Sequence, residues 1–212
     1  MNKKQIIEFI ETQKAVAVIR LPDSDLFEPV AEALYKGGVK IIEITMTVPG
    51  ALSIIRKAVK NAPSDMLIGV GSVLDAKTAQ VAVDAGADFV VSPVVKEEII
   101  TAVKNLDKPV MPGAFTPTEI QFAWEAGADI VKVFPADILG IPFFKAVKAP
   151  MPHLKLMPTG GVTLTNADQW IQAGASAVGL GSSLVDKKAI AEGNFDQLRK
   201  NAETLIKTLN RN

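Results

Sequence analysis

Lys132 and Glu43 each stand alone among apolar neighbours, and an amine and a carboxyl in that setting could act as reagents. Lys132 lies in Asp129-Ile130-Val131-Lys132-Val133-Phe134-Pro135-Ala136, and Glu43 in Ile41-Ile42-Glu43-Ile44-Thr45. Read as strands with a side-chain period of two, Ile130, Lys132 and Phe134 share one face, and Ile41, Glu43 and Thr45 share another. Val131 and Val133 make the opposite face of the lysine strand apolar as well, so that strand reads as buried on both sides. An amine removed from water is favoured in its neutral, nucleophilic form. Such an amine attacks a ketone, loses water to give an imine, and uses the protonated nitrogen as an electron sink for breaking or making a carbon–carbon bond. A buried carboxyl suits the proton transfers at the carbinolamine and the enamine carbon. The same two residues also fit an ion pair that fixes the interior, or a lysine that snorkels to the rim.

Further polar residues fall at or near the C-terminal ends of apolar runs: Arg20, Thr45, Thr47, Ser72 and Ser92. Two glycine-bearing loops accompany them, Pro158-Thr159-Gly160-Gly161-Val162 and Gly179-Leu180-Gly181-Ser182-Ser183. Glycines let backbone N–H groups approach an anion, and a serine adds a hydroxyl, so the pair suggests a phosphate cradle; either loop alone would equally serve as a tight turn. Arg20 offers a planar cation for a carboxylate or phosphate, or is a solvated strand end.

The elements that must position these groups are announced by a recurring phrase. Gly37-Gly38-Val39-Lys40, Ala85-Gly86-Ala87-Asp88, Ala126-Gly127-Ala128-Asp129 and Ala173-Gly174-Ala175-Ser176 each follow a helical pattern and precede an apolar strand. Glycine in the left-handed region ends a helix there. Each interval is long enough for two strand–helix units, which predicts eight strands at 15–19, 40–45, 66–70, 88–91, 108–111, 129–134, 154–157 and 176–180. Helices are expected to begin near Leu26, Ala51, Ala76, Glu97, Thr118, Pro142, Thr165 and Ala189, after an additional N-terminal helix carrying Ile6, Ile7 and Ile10. The expected fold is α/β, a (β/α)8 TIM barrel forming a single domain over residues 1–212. An open doubly wound sheet is the rival, but G-x-G-x-x-G is missing after the first strand. Pro49, Pro93, Pro112, Pro135 and Pro158 lie at or just past strand C-termini, the rim where such barrels carry their active sites.

Composition narrows the chemistry. Basic and acidic residues balance at 23 each, so no field gathers nucleic acid or an anionic membrane, and any anion needs a local site. The chain has no cysteine and a single histidine, His153, which excludes thiolate metal sites and any site needing two imidazoles; no metal and no cofactor are expected. His153 reads as a surface residue, and Trp124 and Trp170 as outer-layer packing. The apolar stripe of the last helix, Phe195, Leu198, Ala202, Leu205, Ile206 and Leu209, reads as coverage. No apolar run reaches membrane-spanning length and no secretory cleavage site follows the start, so a soluble, cytoplasmic protein is expected.

Six stretches in order, Glu43-Ile44-Thr45, Gly69-Val70-Gly71-Ser72-Val73, Met111-Pro112-Gly113, Val131-Lys132-Val133-Phe134-Pro135-Ala136, Pro158-Thr159-Gly160-Gly161-Val162 and Gly181-Ser182, closely resemble the 2-keto-3-deoxy-6-phosphogluconate aldolase family, which includes cleavage of 4-hydroxy-2-oxoglutarate. The resemblance implies a class I aldolase that splits a phosphorylated keto-deoxy sugar acid into pyruvate and glyceraldehyde 3-phosphate, as a homotrimer. It implies Lys132 as the Schiff-base lysine and Glu43 as the acid/base. Gly160, Gly161, Gly181 and Ser182 match phosphate-binding positions, and Arg20, Thr45, Thr47, Ser72, Pro93 and Thr159 are the candidate substrate-binding residues. Thr159 matches a threonine associated with the gluco-configured rather than the galacto-configured substrate. Some members carry at position 47 an arginine that holds the pyruvate carboxylate; here it is threonine, while others resemble this chain in having Arg20 at the end of the first strand, and carboxylate binding is therefore expected of Arg20, with Thr47 helping. Ser72 replaces a common threonine and keeps the hydroxyl. A phosphate-binding isomerase or epimerase, and a catalytically silent sugar-phosphate-binding barrel, are the competing readings.

Overall fold

Gly38, Gly86, Gly127 and Gly174 end their helices with φ between 96° and 107°, in a computed structural model that describes residues 1–211. A Cβ resists that left-handed conformation, which is why glycine recurs at the same point in each unit. The chain runs α1 (Lys3–Gln13), β1 (Ala15–Ile19), α2 (Phe27–Lys36), β2 (Ile41–Thr45), α3 (Ala51–Asn61), β3 (Leu67–Gly71), α4 (Ala76–Asp84), β4 (Val90–Val91), α5 (Glu97–Asn105) and β5 (Val110–Met111). It continues through β6 (Gly113–Ala114), α6 (Pro117–Glu125), β7 (Val131–Val133), α7 (Ala136–Lys148), β8 (Leu156–Pro158), α8 (Ala167–Gln172), β9 (Val178–Leu180), α9 (Lys187–Ala191) and α10 (Phe195–Leu209).

All strand pairs are parallel, giving an α/β fold. Six strands form one sheet in the order β5-β4-β3-β2-β1-β9, and three form another in the order β6-β7-β8. The fifth strand ends at Met111 as expected, before Pro112, which has no N–H for the ladder, and an additional short strand, β6, pairs directly beyond it. A single parallel bridge, Thr159 to Gly179, links the far edges.

Two helix boundaries and several strand starts also depart from expectation. The helix expected near Pro142 begins at Ala136, because α7 is two helical pieces merged across Gly140 (φ 71°, ψ 171°), with Pro142 opening the second piece. The last expected helix is divided in two at Gly193 (φ 66°) between α9 and α10. Strands β4 and β7 begin later than 88 and 129 because side chains take over the ladder there. Asp88 N–H donates to Ile68 O (2.8 Å) while its carboxylate accepts from Ile68 N–H (2.9 Å). Asp129 makes the same pair of bonds with Val110, at 3.0 and 2.9 Å.

Helices cover the outward strand faces. On α10, Leu198, Ala202, Leu205 and Leu209 are buried, with Phe195 and Ile206 half-buried beside them. Trp170 packs edge-on to Phe144 at 5.2 Å, Trp124 meets exposed His153 at 5.9 Å, and both tryptophans thus lie in the outer layer as expected. The inward faces form a separate cluster that includes Val16, Ile41, Phe89, Met111, Ile130 and Met157, and Ile6 and Ile10 of α1 complete it. Burying each of these two isoleucines is worth roughly 1.5–3 kcal/mol. An Asn2–Gln5 capping box starts α1. Ion pairs Lys3–Asp129 (3.0 Å) and Lys155–Glu11 (2.9 Å) fix it across the N-terminal ends of the strands. Among the described residues no helix is long and apolar enough to cross a membrane.

Candidate active site

The period-two reading places Lys132 one step above Ile130, and Glu43 one step above Ile41, on the inner face. Both are buried, and Lys132 Nζ stands 3.8 Å from Glu43 Oε1. That separation lies within ion-pair range but is longer than a hydrogen bond. Neither Glu43 oxygen has a hydrogen-bond partner among the described residues. A carboxyl left so costs free energy until a water or substrate hydroxyl supplies the partner, and such a group is suited to exchanging protons with a ligand.

Small residues opposite create the space. Glu43 pairs with Gly69 and Thr45 with Gly71 on β3, and Lys132 pairs with Gly113 on β6. A Cβ on Gly71 would overlap the Glu43 carboxyl, and one on Gly69 would overlap the Phe89 ring that fills the interior below. Phe134, half-exposed at the rim, has its ring centroid 5.3 Å from Lys132 Nζ, close enough for a cation–π contact whenever the amine is charged.

Beside this pair lies a cavity of about 520 Å³ lined by Arg20, Thr159, Gly160, Gly161, Gly181 and Ser182, together with Phe134, Ser183, Lys187 and others. Six of the expected site residues are thus gathered in one place. Phe134 connects the two halves, facing the cavity while meeting the amine. Thr159 Oγ1 is buried without a hydrogen-bond partner, held where a Cβ on Gly179 would collide with it. Gly160 and Gly161 both take positive φ, 97° and 72°. No protein acceptor takes the N–H of Gly160, Gly161, Val162, Ser182 or Ser183 among the described residues, and all five residues line the cavity.

The remaining expected residues fall elsewhere on the rim. Thr45 is fully buried and occupied, its hydroxyl donating to Ile19 O (3.1 Å) and meeting Thr47 Oγ1 at 2.8 Å, while Thr47 is exposed. Ser72 has φ 58°, a strained value for a residue with a Cβ, costing about 1–3 kcal/mol. Bonds from Met46 N–H to Gly71 O (2.8 Å) and from Val73 N–H to Val91 O (3.2 Å) hold it there. Pro93 packs against Gly113, whose Cβ would overlap its backbone. Thr47, Ser72 and Pro93 do not line the cavity. No group of three or more metal-ligating side chains occurs among the described residues.

Sequence reasoning missed the residues that shape the cradle. Asn166 Nδ2 donates to Gly161 O (3.0 Å) while its Oδ1 accepts from Thr163 N–H (2.8 Å). Ser183 Oγ donates to Val162 O (2.9 Å), tying the two glycine loops together. These bonds fix the backbone of both loops beside the cavity. Thr163-x-x-Asn166 directly after the glycine pair was the signal available.

A buried amine and carboxyl next to a glycine-lined cavity, on a parallel α/β frame, fit the class of carbon–carbon lyases that work through a lysine imine. The family model described as "Aldolase: KDPG and KHG aldolase" matches residues 6–201, and the chain belongs to that family. It is 36% identical over 204 residues to the 2-dehydro-3-deoxy-phosphogluconate aldolase of Haemophilus influenzae, covering 96% of both chains. It is 29% identical over 198 residues to the KHG/KDPG aldolase of Escherichia coli, covering 93% of this chain and 92% of that one. Among solved structures it matches the KDPG aldolase of Legionella pneumophila with pyruvate captured as a covalent carbinolamine. There the TM-score is 0.87 at 28% identity, with 94% of this chain and 97% of that one covered.

Proposed function

We propose that this protein is a class I aldolase cleaving 2-keto-3-deoxy-6-phosphogluconate to pyruvate and glyceraldehyde 3-phosphate. The observation that carries the reading is the buried Lys132–Glu43 pair, 3.8 Å apart, with the carboxyl otherwise unpartnered. Lys132 Nζ attacks the C2 ketone to form a carbinolamine, and loss of water leaves an iminium. Glu43 supplies the proton for the departing hydroxyl and then takes the proton from the C4 hydroxyl as the C3–C4 bond breaks. The bonding electrons pass to the nitrogen as an enamine, and the aldehyde leaves. Protonation at C3 and hydrolysis return pyruvate and the free amine. The captured carbinolamine of the Legionella relative supports the imine route.

In this reading Arg20 binds the pyruvate carboxylate with help from Thr47. Thr159 meets the substrate between the reacting carbon and the phosphate, and Gly160, Gly161, Gly181 and Ser182 cradle the phosphate. Ser72 and Pro93 shape the pyruvate side, and Thr45 positions the β1 end through Ile19. Cleavage of 4-hydroxy-2-oxoglutarate by the same imine is a second activity, suggested by the name of the Escherichia coli relative. We also read the two sheets as one closed (β/α)8 barrel in a single domain; the continuity through Pro112, the Thr159–Gly179 bridge and the inner cluster support this. A cytoplasmic homotrimer completes the reading. Exposed Leu74 and Val94, on successive loops, are apolar surface that a partner subunit would cover.

Incubation with pyruvate and borohydride tests the reading. It requires a stable carboxyethyl adduct on Lys132 alone, found by peptide mass spectrometry. An isomerase or a silent binder gives no adduct, and that result would overturn it.

A further inference from the structure

We propose that Lys187 is the specificity-determining cation for the phosphate end of the substrate, an inference that rests on the aldolase reading above. A phosphate monoester brings close to two negative charges. The donors assembled around the cradle, backbone N–H groups and the Ser182 hydroxyl, are neutral and offset none of that charge. The chain as a whole has a formal net charge of zero, so no general field compensates. Among the described residues lining the cavity there is no carboxylate and there are two cations, Arg20 and Lys187. Both are exposed, and neither forms an ion pair with a carboxylate among the described residues. The substrate has two anionic ends, and the cavity has two free cations to receive them.

Local structure explains why Lys187 is free. Its neighbour Asp186 is occupied as the cap of α9, its carboxylate accepting from Ala189 N–H at 2.7 Å. The next residue, Lys188, instead pairs along its own helix with Glu192 at 3.9 Å. Of these adjacent lysines only Lys187 lines the cavity, alongside the Gly160-Gly161 and Gly181-Ser182 loops. With Arg20 committed to the pyruvate carboxylate, Lys187 is left for the phosphate. The position also discriminates by length. 4-Hydroxy-2-oxoglutarate ends two carbons beyond the cleaved bond, in a carboxylate, whereas the sugar acid carries one carbon more and a phosphate on it, so in this reading the phosphate of the longer substrate is the group that meets Lys187.

The test compares wild type with Lys187→Gln and Lys187→Arg in three measurements: calorimetric titration with inorganic phosphate, borohydride trapping of pyruvate, and steady-state cleavage of both substrates. Lys187→Gln should weaken inorganic phosphate binding and raise KM for the phosphorylated substrate by about tenfold or more. It should leave pyruvate trapping and turnover of 4-hydroxy-2-oxoglutarate unchanged, and Lys187→Arg should retain most of the phosphate affinity. Equal losses on both substrates, unchanged phosphate affinity, or a phosphate affinity that responds to Arg20→Ala and not to Lys187→Gln would overturn the inference. Absent trapping in wild type would instead overturn the aldolase reading, and the phosphate titration would still decide the role of Lys187.

Discussion

Gly71 and Glu43 share one space: the carboxyl of Glu43 lies where a Cβ on residue 71 would have to stand. Gly71→Ala must therefore displace the carboxyl from the amine. The expected outcome is a fall in kcat of about 100-fold or more, with slowed borohydride trapping. Overpacking should also remove about 1–3 kcal/mol of stability. Gly69→Ala is the control, since it meets the Phe89 ring rather than the carboxyl. It should lower the melting temperature with a smaller effect on kcat, and equal kinetic losses for the two variants would contradict the assigned role.

The Lys132–Glu43 pair should limit stability while enabling function. Lys132→Met leaves Glu43 buried alone and should cost about 3–5 kcal/mol, whereas Lys132→Met with Glu43→Leu should equal wild type or exceed it by about 1–4 kcal/mol. Denaturant unfolding measures both variants, and each should give no pyruvate adduct. A double variant far less stable than either single one would show that the pair is kept for structure.

Arg20→Ala should weaken pyruvate binding by about tenfold, read from the concentration dependence of trapping, because it removes a charge-assisted contact. Thr47→Val should weaken it only a few-fold. Unchanged pyruvate affinity in Arg20→Ala would remove the assignment.

Acid stability has a specific contributor at Asp65. Lys40, 2.7 Å away, and the Tyr35 hydroxyl, which donates at 2.7 Å, hold its carboxyl below the ordinary aspartate value. A folded-state value below the unfolded one means stability that is present above the unfolded value and is lost as pH falls through the folded one. Asp65→Asn should therefore lower stability at neutral pH and flatten the decline below about pH 4. An acid limb with unchanged slope in urea melts would refute this.

The parts of the site that depend on side-chain parity were legible. Lys132 and Glu43 interrupt apolar strands at inward positions, and a period of two is enough to aim both at the same interior. The repeated glycines were legible for a similar reason, because φ near 100° selects a residue type. Residues that act through the backbone of another loop left only a faint trace. Asn166 and Ser183 matter because of which carbonyls they reach, and no local periodicity encodes that reach. Lys187 and Lys188 look alike in sequence, and only the start of α9 separates the one at the cavity from the one paired with Glu192. Pro112 was read correctly as a strand end, but resumption of pairing at Gly113 depends on the neighbouring β7, which sequence alone does not place.

Helix α1 gives the reaction a direction. Ile6 and Ile10 close the interior at the N-terminal ends of the strands, and the cavity opens at the opposite ends. In the aldolase reading proposed above, the three-carbon fragment stays bonded to Lys132 as the enamine while the aldehyde is held by no covalent bond, so departure is ordered: glyceraldehyde 3-phosphate leaves first and pyruvate last. In the synthetic direction pyruvate must bond to the amine before the aldehyde can react, and aldehyde that arrives early stands in its way.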